Sequence, residues 1–128
     1  MKLIRLMTII VTLGILFNWN CGNFCNVYDV QEIDELAGGN AIVAYVVRCG
    51  ATGHNSVSVT WKKEGLDLKG KRGEIFDAIN GDYIKIEKVS IDTIKVYYLA
   101  RDVKMEKEFA RGITFVYEVR KPEFFKRE

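Results

Sequence analysis

Apolar and polar residues alternate along most of this chain with a period of two, the repeat of a strand whose two faces meet different surroundings. NVYDVQEIDEL (26–36) is the least decided stretch. Its alternation of Val27, Asp29 and Gln31 with Tyr28, Val30 and Glu32 favours a strand over a short helix. AGGN (37–40) marks a turn. AIVAYVVRC (41–49) is apolar on both faces, as a central strand covered on both sides should be. GATGHN (50–55) breaks the run with residues that tolerate tight-turn backbone angles. SVSVTWK (56–62) then alternates again, with Val57, Val59 and Trp61 on one face and Ser56, Ser58 and Thr60 on the other. The two segments should pair as a hairpin closed by the 50–55 loop.

KEGLDLKGKRG (63–73) reads as a polar loop that touches the body through Leu66 and Leu68. EIFDAI (74–79) reads as a short strand, and Asn80-Gly81 is the strongest hairpin signal in the chain. DYIKIEKV (82–89) should turn Ile84 and Ile86 inward, and TIKVYYLA (93–100) should do the same with Ile94, Val96 and Tyr98. DVKMEKEF (102–109) is expected as a further strand with Val103, Met105 and Phe109 inward and Lys104, Glu106 and Glu108 outward. ITFVYEV (113–119) closes the series, and Pro122 with the tail KPEFFKRE (121–128) ends regular structure. Tyr97, Tyr98, Phe115, Tyr117, Phe124 and Phe125 are expected as core and rim, because strands that alternate need large apolar fillers. Six to eight strands and no long helix after the start predict an all-β fold, a small antiparallel sandwich or partly open barrel.

The first twenty residues follow another rule. Lys2 and Arg5 precede or interrupt an apolar run from Leu3 to Phe17, the shape of a secretory signal. As a helix at ~1.5 Å per residue the run reaches roughly 22 Å, short of a hydrocarbon core of about 30 Å. It fits an export signal better than a free-standing membrane span. The positive start would stay in the cytoplasm while everything after it crosses. Charge, apolar run and then Cys21 resemble a bacterial lipoprotein signal, in which the cysteine is lipidated and becomes the first mature residue. Asn18 and Asn20 depart from the apolar and small residues usual before that cysteine. An uncleaved anchor with Trp19 at the interface and a freely secreted form therefore stay open. The reading is a signal or anchor over 1–20 and a single extracytoplasmic β-domain over 21–128, exported and facing the periplasm or the cell exterior.

Charge and cysteines narrow the chemistry. The 19 basic and 17 acidic residues give a net charge of +2, and without Lys2 and Arg5 the two signs balance. That argues against a nucleic-acid partner, which calls for a basic face or stripe. Of three cysteines, Cys21 is the lipidation candidate. Cys25 and Cys49 can then pair in an oxidising compartment, closing a loop that would contribute roughly 3–4 kcal/mol. A Cys21–Cys25 pair with Cys49 free, or a buried inert Cys49, are the alternatives. A Cys49–His54 nucleophile and base is disfavoured, because five residues of turn rarely aim both groups together. One histidine and scattered cysteines do not supply a metal site. Asp67, Asp77, Asp82 and Asp92 all lie near predicted turns, where aspartates usually bond their own backbone.

RCGATGHNSVSV (48–59) resembles a group of small exported bacterial proteins, mostly lipoproteins, of unknown function. They carry an arginine, then Cys-Gly-Ala-Thr, then a polar turn and an alternating strand. Arg48, Cys49, Gly50, Ala51 and Thr52, followed by Val57 and Val59, match that pattern. Gly53 stands where the family often has a second threonine, and Ile94, Val96 and Tyr98 match a later Ile-x-Val-x-Tyr strand. The resemblance covers roughly residues 38–99. It implies an exported β-domain with a structural cysteine turn and carries no catalytic residues with it.

These readings converge on a membrane-tethered, non-catalytic envelope protein that needs no cofactor and acts by protein binding or inhibition. An immunity, exclusion or accessory lipoprotein would fit. Contact would run through the 50–56 and 63–73 loops, with Thr52, His54 and Asn55 as candidate binding residues, because loops on rigid sheets carry recognition. A carrier of a small apolar ligand would need a barrel cavity instead. A small hydrolase would need a nucleophile with a base or two carboxylates in a cleft.

Overall fold

The most apolar stretch of the chain becomes its central strand. A computed structural model describes residues 25–50 and 53–126. Its strands are β1 (Cys25–Leu36), β2 (Asn40–Cys49), β3 (Ser56–Trp61), β4 (Phe76–Ser90), β5 (Thr93–Glu106), β6 (Phe109–Ala110) and β7 (Ile113–Val119). A 3-10 turn, Ala37–Gly39, joins β1 to β2, and a short helix α1 (Pro122–Phe125) follows β7. The fold is all-β: one seven-stranded sheet in the order β1-β2-β3-β4-β5-β7-β6. Every neighbouring pair is antiparallel except β5 and β7. The ambiguous segment 26–36 is strand, and β2 pairs with β3 as expected, Val47 against Ser56 and Ile42 against Trp61.

The sheet is open in its hydrogen-bond ladder but strongly curled. Strand β5 has 14 residues, which would extend about 45 Å if straight. Yet β7 starts beside its first residue, Thr93 opposite Thr114. Only residues 107–112 join the two strands, and they can reach at most about 25 Å. So β5 must bend back on itself. Its partner β4 allows this through irregularities after Asp77 and after Gly81, since bulges bend and twist a strand. Curling also brings β1 to the second half of β4. The Gln31 amide donates to the Ile84 carbonyl (2.8 Å), and the Ile86 N–H donates to the Gln31 carbonyl oxygen (3.1 Å). The Ala37 N–H reaches the Ile91 carbonyl at 2.7 Å. Among the described residues there is one open sheet, curled toward a barrel, and no second sheet for it to sandwich against.

Inside the curl, Leu36, Ile42, Val46, Val59, Trp61, Phe76, Ile94, Val96 and Phe115 meet in one apolar cluster drawn from six strands. Trp61 and Phe115 pack edge to face across it, with centroids 6.1 Å apart. A second cluster lies on the outer face of β2: Val43, Tyr45 and Val47, backed by Cys25, Val27, Cys49 and Leu68. The loop between β3 and β4 covers that face, which explains why β2 is apolar on both sides. Leu66 and Leu68 are both half-buried there, and the Tyr45 hydroxyl donates to the Lys71 carbonyl at 2.6 Å. Glu74 pins the loop between Lys71 and Lys63, and their hydrogen bonds hold its carboxyl below the usual range.

Three expectations need correction. Asn80-Gly81 does not close a hairpin; β4 runs through it from Phe76 to Ser90. Asn80 takes a left-handed backbone angle of 57°. A side chain at Gly81 would collide with Val57 (2.8 Å) and Ala100 (3.0 Å). The dipeptide therefore serves a bend where neighbouring strands close in, a second use of the same backbone freedom. Residues 102–109 are not a separate inward-facing strand. Residues 102–106 continue β5 past the reach of β7, which pairs with Thr93–Tyr98, and Phe109 opens the two-residue edge strand β6. Val103, Met105 and Phe109 are accordingly 37%, 36% and 68% exposed. Regular structure also extends past Pro122, which opens α1 with its fixed backbone angle. That helix lays Phe124 against Tyr97 (4.7 Å) and Phe125 against Tyr83 (5.1 Å) on the outside of the barrel. The aromatic stripe is thus core for Tyr98, Phe115 and Tyr117 and rim for Phe124 and Phe125.

Candidate functional site: the disulfide end of the barrel

Strand register brings most of the singled-out residues to one end. Cys25 starts β1 and Cys49 ends β2, and they stand directly opposite in the antiparallel ladder. Side chains directly opposite in such a ladder lie on the same face, and the two sulfurs are bonded. Cys49 therefore presents no thiolate to His54. One residue before Cys49 on β2, Arg48 lies over the ring of Tyr28, three residues into β1, at 5.1 Å, a cation–π contact.

The loop after Cys49 folds back on the disulfide. The Gly53 N–H donates to the Gly50 carbonyl at 2.9 Å, an i to i+3 turn. A Cβ on Gly53 would lie 2.2 Å from the Cys49 Cβ, so the close approach demands glycine there. Thr52, a candidate contact residue, lies outside the described residues, as does the lipidation candidate Cys21. His54 is exposed and Asn55 half-buried. Asn55 joins the loop to the bend in β4: its carbonyl accepts the Asn80 N–H (2.7 Å) and the Gly81 N–H (3.4 Å). Its side-chain amide donates to the Asp82 carboxylate (3.2 Å).

The result is a shallow polar cup of about 370 Å³ lined by Gly53, His54, Asn55, Asn80, Asp82 and Arg101. Gly53, His54 and Asn55 of this set are legible from the hairpin in sequence. Asp82 and Arg101 join them because β3 pairs with β4 and β4 with β5, Ser56 beside Ile79 and Ile79 beside Asp102. A second depression, about 320 Å³, lies between the irregularity in β1 and α1, lined by Asp29, Val30, Gln31, Tyr83, Lys85 and Phe124 among others. It marks the seam that Gln31 bridges.

The four aspartates separate by environment. Asp67 accepts the Lys69 N–H at 3.0 Å, and Asp92 accepts from Ser90 (2.6 Å) and Thr93 (3.1 Å). Those two hydroxyls hold the Asp92 carboxyl below its ordinary range. Asp82 bonds across to Asn55 instead. Asp77 is no turn residue: it is 7% exposed within β4 and accepts the Ser58 hydroxyl at 2.8 Å. Tyr45, Ser58 and Asp77 stand side by side on β2, β3 and β4. This buried polar row lies beneath the 62–75 loop. Ser58 and Thr60, on the polar side of the β3 alternation, are buried there. Alternation assigns them a face but not its surroundings, because polarity in a strand signals solvent only where nothing folds over it. Among the described residues no group of three or more His, Cys, Asp or Glu is placed to hold a metal ion, and no helix is long and apolar enough to cross a membrane.

No protein-family model matches the chain, and no curated protein or solved structure is significantly similar to it.

Proposed function

We propose that this chain is an exported, membrane-tethered and non-catalytic envelope protein that acts by binding another protein, as an immunity, exclusion or accessory lipoprotein would. The observation that carries the reading is the Cys25–Cys49 bond. Such bonds are favoured in oxidising compartments, and this one follows an apolar stretch with a positive start, which supports export. The likeness of residues 48–59 to exported lipoproteins points the same way. Contact is favoured over carriage because side chains from six strands occupy the barrel interior, while both depressions lie on the outside. The 53–55 turn, exposed at Gly53 and His54, is the better contact loop. The 63–73 loop is committed to covering β2 through Leu68 and Lys71.

Mass analysis of the chain from its native membrane, after thiol blocking, tests the reading. The expected product retains its lipid on Cys21 or its leader, and takes up no blocking reagent at Cys25 or Cys49. Recovery from the cytosol with both thiols alkylated would overturn it. For the partner, photo-cross-linkers at His54 and Asn55 in intact cells should trap one protein of discrete mass, whereas a linker at Gly65 should not. Equal and diffuse trapping at both places would reject binding through this turn.

A further inference from the structure

We infer that the depression between β1 and α1 is a binding site for a small zwitterion with an apolar side chain, the chemistry of a free amino acid or a dipeptide. The site exists because two strands do not pair. β1 loses register between Tyr28 and Gln31, and Asp29 takes a left-handed backbone angle of 52° there. Among the described residues no ladder joins β1 to β4; the Gln31 side chain crosses instead, to Ile84 and Ile86. Helix α1 bounds the opening, with Phe125 stacked on Tyr83 at 5.1 Å and 12° from parallel. The space left is about 320 Å³, the lower end of the range for small-molecule sites. Such a ligand sits on the outside of the barrel, whose interior is filled by side chains.

The lining supplies three properties at once. Val30, Tyr83, Phe124 and Phe125 give apolar surface, and Val30 is 49% exposed. Asp29 brings a carboxylate and Lys85 an ammonium. Among the described residues neither is in an ion pair or a hydrogen bond, with each other or elsewhere. Lys85 is half-buried and lies over the Phe124 ring at 5.4 Å. A ligand with one charge would meet a like charge from one of these two groups, which selects against it. A zwitterion offers its ammonium to Asp29 and its carboxylate to Lys85, and its apolar side chain gains by covering Val30 and the ring pair. This site shares no residue with the cup at the 53–55 turn. It depends neither on the tether nor on a partner protein.

Backbone amide shifts of the full chain in nanodiscs, titrated with leucine and with leucyl-leucine, test this. Ligands of this size bind at roughly millimolar strength, so the titration runs to about 20 mM. Saturable shifts should appear at residues 29–31, 83–85 and 124–125 and spare 53–55. N-acetyl-leucine lacks the ammonium and leucinamide lacks the carboxylate; each should bind about tenfold more weakly than leucine. Asp29→Asn should abolish the preference over N-acetyl-leucine, and Lys85→Gln the preference over leucinamide. The ligand series on the unaltered chain decides the matter without either variant. No saturation by leucine or leucyl-leucine, shifts centred outside these residues, or blocked ligands that bind as tightly as leucine would overturn the inference.

Discussion

Tyr45 is the largest fully buried side chain among the described residues, and its hydroxyl ties the covering loop to β2. Burial pushes its pKa up to about 12, reinforced by the nearby Asp77 and Glu74 charges and opposed by Ser58. Tyr98 and Tyr117 move in the same direction, mainly through burial. An unfolded tyrosine releases its proton near pH 10. The contribution of Tyr45 is thus whole below pH 10 and is lost as pH rises through about 12, worth on the order of 2–3 kcal/mol. Urea midpoints should fall between pH 10 and 12, and Tyr45→Phe should flatten that fall. At neutral pH the same variant should cost about 1 kcal/mol for the lost bond to Lys71. Alkaline slopes that coincide in the two proteins would refute this. None of it is visible in AIVAYVVRC, where a tyrosine amid valines reads only as apolar bulk.

Among the elements, the seam between β1 and β4 is the least regular. A β-ladder there would exchange backbone bonds; instead the Gln31 side-chain amide accepts from Ile86 and donates to Ile84, as a peptide group would. Buried backbone groups need partners, so one side chain stands in for a strand. Replacing Gln31 with Leu should cost about 2 kcal/mol in urea unfolding, with two bonds lost, and amide exchange at Ile86 should accelerate. An unchanged exchange rate at Ile86 would remove Gln31 from this role. In sequence, Gln31 is simply a polar residue of an alternating strand. Its partner lies 53 residues away, and no local signal reports that distance. β4 shows the converse: Asn80-Gly81 carries a strong local signal whose meaning was set by how closely Val57 and Ala100 approach.

For the whole molecule the disulfide matters most. It joins residues 24 apart and clamps β1, which has only β2 as a full ladder neighbour. A Cys25→Ser, Cys49→Ser double variant should lose about 3 kcal/mol. Its extra amide exchange should concentrate in residues 25–30, ahead of the Gln31 seam. If exchange rises uniformly, the bond acts on the unfolded chain alone, and the clamp on β1 is not its role. The same bond fixes the place where the chain enters the sheet, beside the end of β2.

Strand identity, the β2–β3 hairpin and the inward set Ile84, Ile86, Ile94, Val96 and Tyr98 were written in the order of residues. Each depends on a period-two pattern and on neighbours a few positions away. Pairing of Cys25 with Cys49 was legible as one option among three. The curl of β5, the cover over Ser58 and Thr60, and the gathering of Asp82 and Arg101 beside His54 emerged only in three dimensions. They depend on which distant backbones come within hydrogen-bonding or contact distance, and that is set by closing the barrel around a common core.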